Sequence, residues 1–255
     1  MTPTAPTQSY LVWFSQRVGS TLLTQALEDT GIAGRPREWF NVRSVDELLA
    51  THRVATALEL RDVLWREATT ANGVIGMKYG LLDDLHPELT SLLGGLVQHG
   101  PDPDGRRAWQ ALFPRWQHVF MTRRNKIRLA VSWWRAIKTD EWQRRRGRAP
   151  VAPADLVDLY HYDAIDHLFA EASLREVAIQ EQFHRWGLVP HTIVYEDFIA
   201  AYEPTVRGVL DFLQIPGRDA VAIPAPAFDQ QADEVSKVWF ERFHRERRAR
   251  LGQPR

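Results

Sequence analysis

The sequence predicts an α/β fold: one domain with a mostly parallel central sheet flanked by helices. Two observations predict it. Short apolar runs bounded by turn residues recur at 11–14, 73–80, 117–122 and 191–198, and the stretches between them carry apolar residues at helical spacing. Strands that alternate with helices in this way pair in parallel, because each helix carries the chain back across the sheet. At 255 residues and 44% hydrophobic content the chain can bury one core of ordinary size. The domain is expected over residues 10–245, after a polar lead-in at 1–9 and before a basic tail at 246–255. Repeats of about 20 to 50 residues are absent on inspection, which speaks against solenoids and propellers.

Taken in order, Leu11 to Phe14 form a buried strand, a tight polar turn contains Gly19, and a helix starts at Ser20 and Thr21 and continues through Leu27. The turn TGIAGRPREWFN has two glycines and a proline, which stop that helix. Ser44 is an N-cap with Glu47 three residues on, and Val45, Leu48 and Leu49 share one helix face. A second helical stretch covers Ala55 to Thr69, and the Gly-bounded run GVIGMKYG is a strand holding Lys78 near its end. Leu81 to Gly100 read as helix around Leu85, Leu89 and Leu93, and GPDPDGRR as loop. QHVFMT is the third strand. The run after it, RRNKIRLAVSWWRAIKTDEW, predicts an amphipathic helix of about five turns. Beyond the loop RRRGR and APVAP, a long helix is expected from Asp155 to Arg185, a strand in HTIVYEDF and a helix from Tyr202 to Leu213. The segment FDQQADEVSKVWFERFHRERR begins irregular and ends as a charged helix.

Composition removes several function classes. The net charge is +0, so a general attraction to nucleic acid or to an anionic membrane is not expected, and any basic site must be local. The absence of cysteine excludes disulfides, thiolate zinc sites and cysteine nucleophiles. No run approaches the roughly 18 apolar residues of a membrane span, and MTPTAPTQS lacks the apolar segment of a signal peptide, so a cytoplasmic protein is the expectation.

The chemistry starts in the loop QRVGST. Strand, small polar loop and helix together make an anion site, because the first N–H groups of the helix have no partner within it and the helix dipole adds partial positive charge there. A Walker loop would need a lysine before the Ser or Thr, and here that lysine is missing while Arg17 stands two places before the glycine. The arrangement suits one terminal anion gripped from the side. The same residues also suit an ordinary strand-turn-helix with Ser20 as N-cap. A second cationic end stands at the third strand, where Arg123 and Arg124 follow Thr122 and Ser132 lies about two turns into the next helix. Two anion sites at the ends of parallel strands describe a nucleoside with phosphate at both ends.

The stretches YLVWFSQRVGSTLL, TGIAGRPREWF, TRRNKIRLAVSWWRAIKTDEW, YHYDAIDH, VYEDF and QQADEVSKVW, in order from Tyr10 to about Trp239, resemble the 3'-phosphoadenosine 5'-phosphosulfate (PAPS)-dependent sulfotransferases, in particular the bacterial trehalose 2-sulfotransferases. The resemblance implies a P-loop-like sulfotransferase fold, PAPS as co-substrate without a metal, a small-molecule hydroxyl acceptor and a possible homodimer. It places Arg17, Val18, Gly19, Ser20 and Thr21 in the loop that holds the 5'-phosphosulfate, with Arg17 where related enzymes carry a lysine for the leaving phosphate. Ser132 matches the serine of the 3'-phosphate site. Its arginine is Arg123 by the spacing of this family and Arg124 by the shorter spacing of other sulfotransferases, and Arg123 is preferred. Gln231 falls in the late loop over the nucleotide, beside Gln230 where an arginine is usual. Glu38 matches the glutamate that serves as catalytic base. Val18 replaces a common serine, which costs the loop one hydroxyl contact but leaves the backbone N–H, and Arg35 stands where trehalose enzymes tend to carry an acid, so the acceptor is expected to be a sugar other than trehalose or a glycosylated or hydroxylated metabolite.

Other residues have two readings each. Trp133, Trp134 and Trp142 could stack on a base or a sugar, or pack in the core. Lys78 could face the sulfuryl group or acceptor, or be a solvated edge lysine. His161 and His167 are six apart, a poor spacing for metal. The RRRGR loop is a solvated surface or a grip for an anionic acceptor. Two rival functions remain: a catalytically silent nucleotide-binding protein and a P-loop kinase. The missing Walker lysine speaks against the kinase.

Overall fold

The computed structural model describes residues 3–81, 84–149, 156–229 and 233–252. Its sheet has four strands, β1 (Gln8–Phe14), β2 (Val74–Tyr79), β3 (Trp116–Thr122) and β4 (His191–Val194), in the order β2-β1-β3-β4. All three pairings are parallel. Strand order reverses between β1 and β3, and open α/β sheets bind ligands in the crevice at the carboxyl end of such a switch point.

Ten helices surround the sheet among the described residues: α1 (Ser20–Asp29), α2 (Val45–His52), α3 (Ala57–Ala68), α4 (Leu85–Gly94), α5 (Arg106–Leu112), α6 (Lys126–Thr139), α7 (Tyr162–Trp186), α8 (Tyr195–Ala200), α9 (Tyr202–Phe212) and α10 (Glu234–Leu251). Strand β1 is buried on both faces. Tyr10, Val12 and Phe14 join the core under α1, α6, α9 and α10, whereas Leu11 and Trp13 join the one under α3, α4 and α5. The period of two along a strand makes that division. Helix α7 spans both cores, with Ile165, Leu168 and Ala172 in the first and Ile179, Phe183 and Trp186 in the second.

Several boundaries differ from the sequence reading. The loop GPDPDGRR ends in helix α5, whose Ala108, Trp109 and Leu112 are buried. Helix α6 has 14 residues, about four turns, and stops where Asp140 turns left-handed at φ 53°. Helix α7 begins at Tyr162, where His161 Nδ1 accepts from the Ala164 N–H at 3.2 Å. The expected start at Asp155 lies outside the described residues. His161 is therefore a cap. Strand β4 is four residues long, and Tyr195 opens helix α8 instead of continuing the strand. Helix α10 runs past residue 246 to Leu251.

Two buried histidines predict an acid-sensitive fold. His118 accepts from Trp13 Nε1 at 3.0 Å, and His86 pairs with the Tyr79 hydroxyl at 2.8 Å. Burial, with smaller contributions from Arg106 and Arg185, pulls the imidazoles down to about 3 and about 4. Both folded values lie below the unfolded value of about 6.5, so the unfolded chain takes up these protons first. Their stabilising effect is complete above that value and is lost as pH falls toward 4 and 3, at about 1.4 kcal/mol per pH unit for each ring. Unfolding stability is expected to drop by about 4 kcal/mol from pH 7 to pH 5 through these two groups. Urea titration at the two pH values measures it, and His118→Gln, which keeps an acceptor for Trp13, should remove about half of the slope.

Candidate active site

The loop after β1 is shaped by three residues with three different tasks. Arg17 adopts φ 62°, a left-handed conformation uncommon for a side chain with a Cβ. Val18 is fully buried and turns its side chain into the core, so only its backbone can belong to an anion site. Gly19 is the N-cap of α1, at φ 79°, and no side chain caps that helix. The expectation of Ser20 as N-cap is thus corrected: Ser20 is the first helical residue, and the N–H groups of the first turn are left for the cleft. A Cβ on Gly19 would stand 2.6 Å from Cδ2 of Tyr195. Gly19→Ala is expected to cost about 1–2 kcal/mol from its backbone conformation alone, and the ring contact adds to it. Thermal unfolding of Gly19→Ala with and without Tyr195→Ala separates the two, because only the steric part is relieved in the double variant.

Register brings the basic stretch after β3 beside the loop after β1. Phe14 pairs with Met121, so the residues leaving β1 and β3 enter the same crevice. Arg123 is largely buried there. Its Nη1 donates to the Arg17 carbonyl at 3.2 Å, its guanidinium lies 4.6 Å from the Tyr195 ring centre, and its Nε is 3.7 Å from Glu196 Oε1. Arg124 points elsewhere: it is exposed and bonds Asp197 Oδ2 at 2.8 Å. Arg17 and Ser132, expected at opposite ends of a donor, touch each other, with Arg17 Nε donating to Ser132 Oγ at 3.0 Å. Arg17 Nη1 also donates to the Trp142 carbonyl.

Arg17, Gly19, Ser20, Thr21, Arg123 and Ser132 all line one open cleft of about 1070 Å³, counting the space at its mouth. Burial first, and then the charge of Arg123, lower the Arg17 pKa to about 10. Burial likewise lowers that of Arg123. Two desolvated guanidiniums side by side repel, and an anion between them removes the repulsion. The arrangement suits an anionic group held between Arg17 and Arg123. Gln231 lies outside the described residues.

Glu38 is linked to the first turn of the same helix. The PREWF turn runs along β2, where Arg37 bridges Met77 and its carbonyl accepts from the Lys78 N–H at 3.0 Å. Lys78 Nζ then bonds Glu38 Oε1 at 2.6 Å and Thr21 Oγ1 at 2.8 Å, 4.4 Å from the Phe14 ring centre. Lys78 is only 5% exposed, which overturns its reading as a solvated edge residue. Burial lowers its pKa, and the Glu38 carboxylate opposes that shift. Glu38 is therefore tied through one ammonium to the first turn of α1, while its own side chain stays part exposed.

The other candidates divide by burial. Trp133 is in the core and Trp134 donates to the Leu159 carbonyl at 2.8 Å, whereas Trp142 is exposed and lines the cleft. Arg35 is exposed and donates to the Glu67 carbonyl. Within RRRGR, Arg144 grips Glu141 with two bonds of 2.9 Å and lines the cleft, so that residue is not a free surface cation. Sequence reasoning missed Tyr195, which packs on Gly19 and under Arg123, and Arg135, which lines the cleft from α6. Among the described residues no group of three or more His, Asp or Glu could hold a metal, and no helix is long and apolar enough to cross a membrane.

With this geometry in place, comparison with known proteins is direct. The profile of the Stf0 sulphotransferase family matches residues 9–246. The chain belongs to that family. Trehalose 2-sulfotransferase from Mycobacterium tuberculosis is 32% identical over 275 aligned positions, covering 96% of this chain and 97% of the relative. The enzyme of the same name from Mycolicibacterium smegmatis is 31% identical over 268 positions, covering 93% and 95%. The resemblance read from the sequence is thus borne out over nearly the whole sulfotransferase chain. A crystal structure of a sulfotransferase from Alicyclobacillus acidocaldarius superposes with a TM-score of 0.50 at 11% identity, covering 94% of this chain and 92% of that one, which supports the shared α/β fold.

Proposed function

We propose that this sulfotransferase moves a sulfuryl group from PAPS to a hydroxyl of a sugar or of a glycosylated or hydroxylated metabolite. The observation that carries the reading is the convergence of Arg17, Arg123 and Ser132 at the β1/β3 switch point, with Glu38 bonded through Lys78 to the helix that starts there. The donor supplies a sulfuryl group on a phosphate leaving group, as transfer to an alcohol requires. Arg123 and Ser132 would hold the 3'-phosphate. On this reading Arg17 and the open N-terminus of α1 serve the 5' end, where negative charge grows as the bridging bond breaks, and Arg17 exchanges its bond to Ser132 Oγ for one to the donor. Glu38 accepts the acceptor's hydroxyl proton as the oxygen attacks, because an alcohol is a weak nucleophile without a base. Lys78 holds one carboxylate oxygen of Glu38 and leaves the other for that proton.

A catalytic domain over residues 10–245, a cytoplasmic site of action and a homodimer belong to the same reading. The acceptor is proposed to differ from trehalose, because Arg35 brings donors where the trehalose enzymes bring an acceptor of hydrogen bonds. Calorimetry with adenosine 3',5'-bisphosphate and with ATP, followed by transfer assays over sugars that include trehalose, tests the proposal. Binding of the bisphosphate and sulfation of an acceptor are expected. Binding of ATP alone would favour a kinase, and bisphosphate binding without transfer would favour a silent binding protein.

A further inference from the structure

Four charged side chains meet at one wall of the cleft, which Arg135, Glu141 and Arg144 line. Arg135, on α6 three residues past Ser132, is 4% exposed, and its Nη2 lies 2.9 Å from Asp233 Oδ2 and 3.8 Å from Glu141 Oε2. Glu141 is held in turn by Arg144. The cluster joins three elements that build the cleft. One is α6 itself, which carries Ser132. Another is the loop after α6, whose residues 144–147 pair antiparallel with 227–229: the Asp229 N–H donates to the Arg144 carbonyl at 2.9 Å and the Arg146 N–H to the Ala227 carbonyl at 3.0 Å. The last is α10, whose N-cap Asp233 accepts from the Ser236 N–H at 2.9 Å.

These loops matter because of what they carry. Trp142 and Phe228, one on each loop, form part of the cleft wall, and Ser236 contributes to it from α10. The Trp142 carbonyl also takes a hydrogen bond from Arg17. Arg135 is held between the two carboxylates that anchor the loop and the helix.

We infer that Arg135 is a positioning residue for the donor nucleotide: through Glu141 and Asp233 it fixes the paired loops that form the nucleoside wall of the cleft. The inference rests on the donor reading proposed above. Positioning and plain electrostatics predict opposite results for one variant. Asp233→Asn removes a carboxylate near an anion site, so electrostatics alone predicts tighter anion binding. Asparagine caps a helix as well as aspartate, so α10 keeps its start. If the link is what matters, Asp233→Asn binds the donor less tightly.

The test is calorimetric titration of wild type, Arg135→Met, Arg135→Lys and Asp233→Asn with adenosine 3',5'-bisphosphate, with circular dichroism to establish folding and KM for donor and acceptor measured separately. Expected are at least tenfold weaker bisphosphate binding in Arg135→Met and in Asp233→Asn, partial recovery in Arg135→Lys, and an acceptor KM within about twofold of wild type. A folded Asp233→Asn protein that binds the bisphosphate as tightly as wild type, or more tightly, overturns the inference. If wild type itself does not bind the bisphosphate, the donor reading falls and the inference with it.

Discussion

Glu38→Gln is expected to bind adenosine 3',5'-bisphosphate within about twofold of wild type and to lose about 10²- to 10⁴-fold in turnover, the range that a positioned general base contributes. Binding should survive because the anion ends of the cleft are built by Arg17, Arg123 and the α1 terminus, none of which bonds Glu38 directly. Turnover should not, because an amide cannot take the hydroxyl proton. One complication comes from Lys78. Its ammonium is nearly buried and loses a carboxylate partner in this variant, and burial, which already lowers its pKa, then acts with less opposition. Lys78→Met separates the two effects, since it removes the ammonium and keeps the carboxylate. Single-turnover assays should show a loss in Glu38→Gln at least tenfold larger than in Lys78→Met. Normal turnover in Glu38→Gln would remove Glu38 from the mechanism.

The dependence of Glu38 on Lys78 shows where sequence reasoning stops. The β1 run, the turn at Gly19 and the start of α1 were legible because strand period, helix period and turn residues agree there. Ser44 was legible for the same reason, and its hydroxyl does accept from the Glu47 N–H at 3.2 Å. Helix α5 was not: strong turn residues precede it, and its three buried residues have no meaning until the second core is assembled. In the site, the preference for Arg123 over Arg124 rests on family spacing. What sets the two side chains apart lies about seventy residues away, where Asp197 and Glu196 on α8 draw the Arg124 side chain and backbone outward. Lys78 could not be settled either, since a buried ammonium is tolerable only with partners, and those are Thr21 and Glu38, far from it in the chain. Arg135, Glu141 and Asp233 follow the same rule: charges whose meaning depends on long-range pairing are silent in one sequence.

Arg17 allows a sharper test, because it differs from the lysine implied by the wider resemblance. Arg17→Met is expected to cut turnover by about 10²- to 10³-fold, the usual effect of removing one stabilising donor from a developing oxyanion, and to weaken donor binding as well. The choice of arginine has its own consequence. Arg17 is desolvated beside Arg123, and its pKa still stands at about 10, so it stays charged near neutral pH. A lysine starts from about 10.4, and the same burial would lower it further. The sign follows: a lysine cation is present below its lowered pKa and is lost above it. Arg17→Lys should therefore keep partial activity near pH 7 and lose kcat/KM for the donor, which reports the free enzyme, at higher pH, while wild type stays flat over the same range. Parallel pH–rate profiles for wild type and Arg17→Lys would show that the Arg17 site is far more solvated than its burial indicates, and that its charge is not what the leaving phosphate meets.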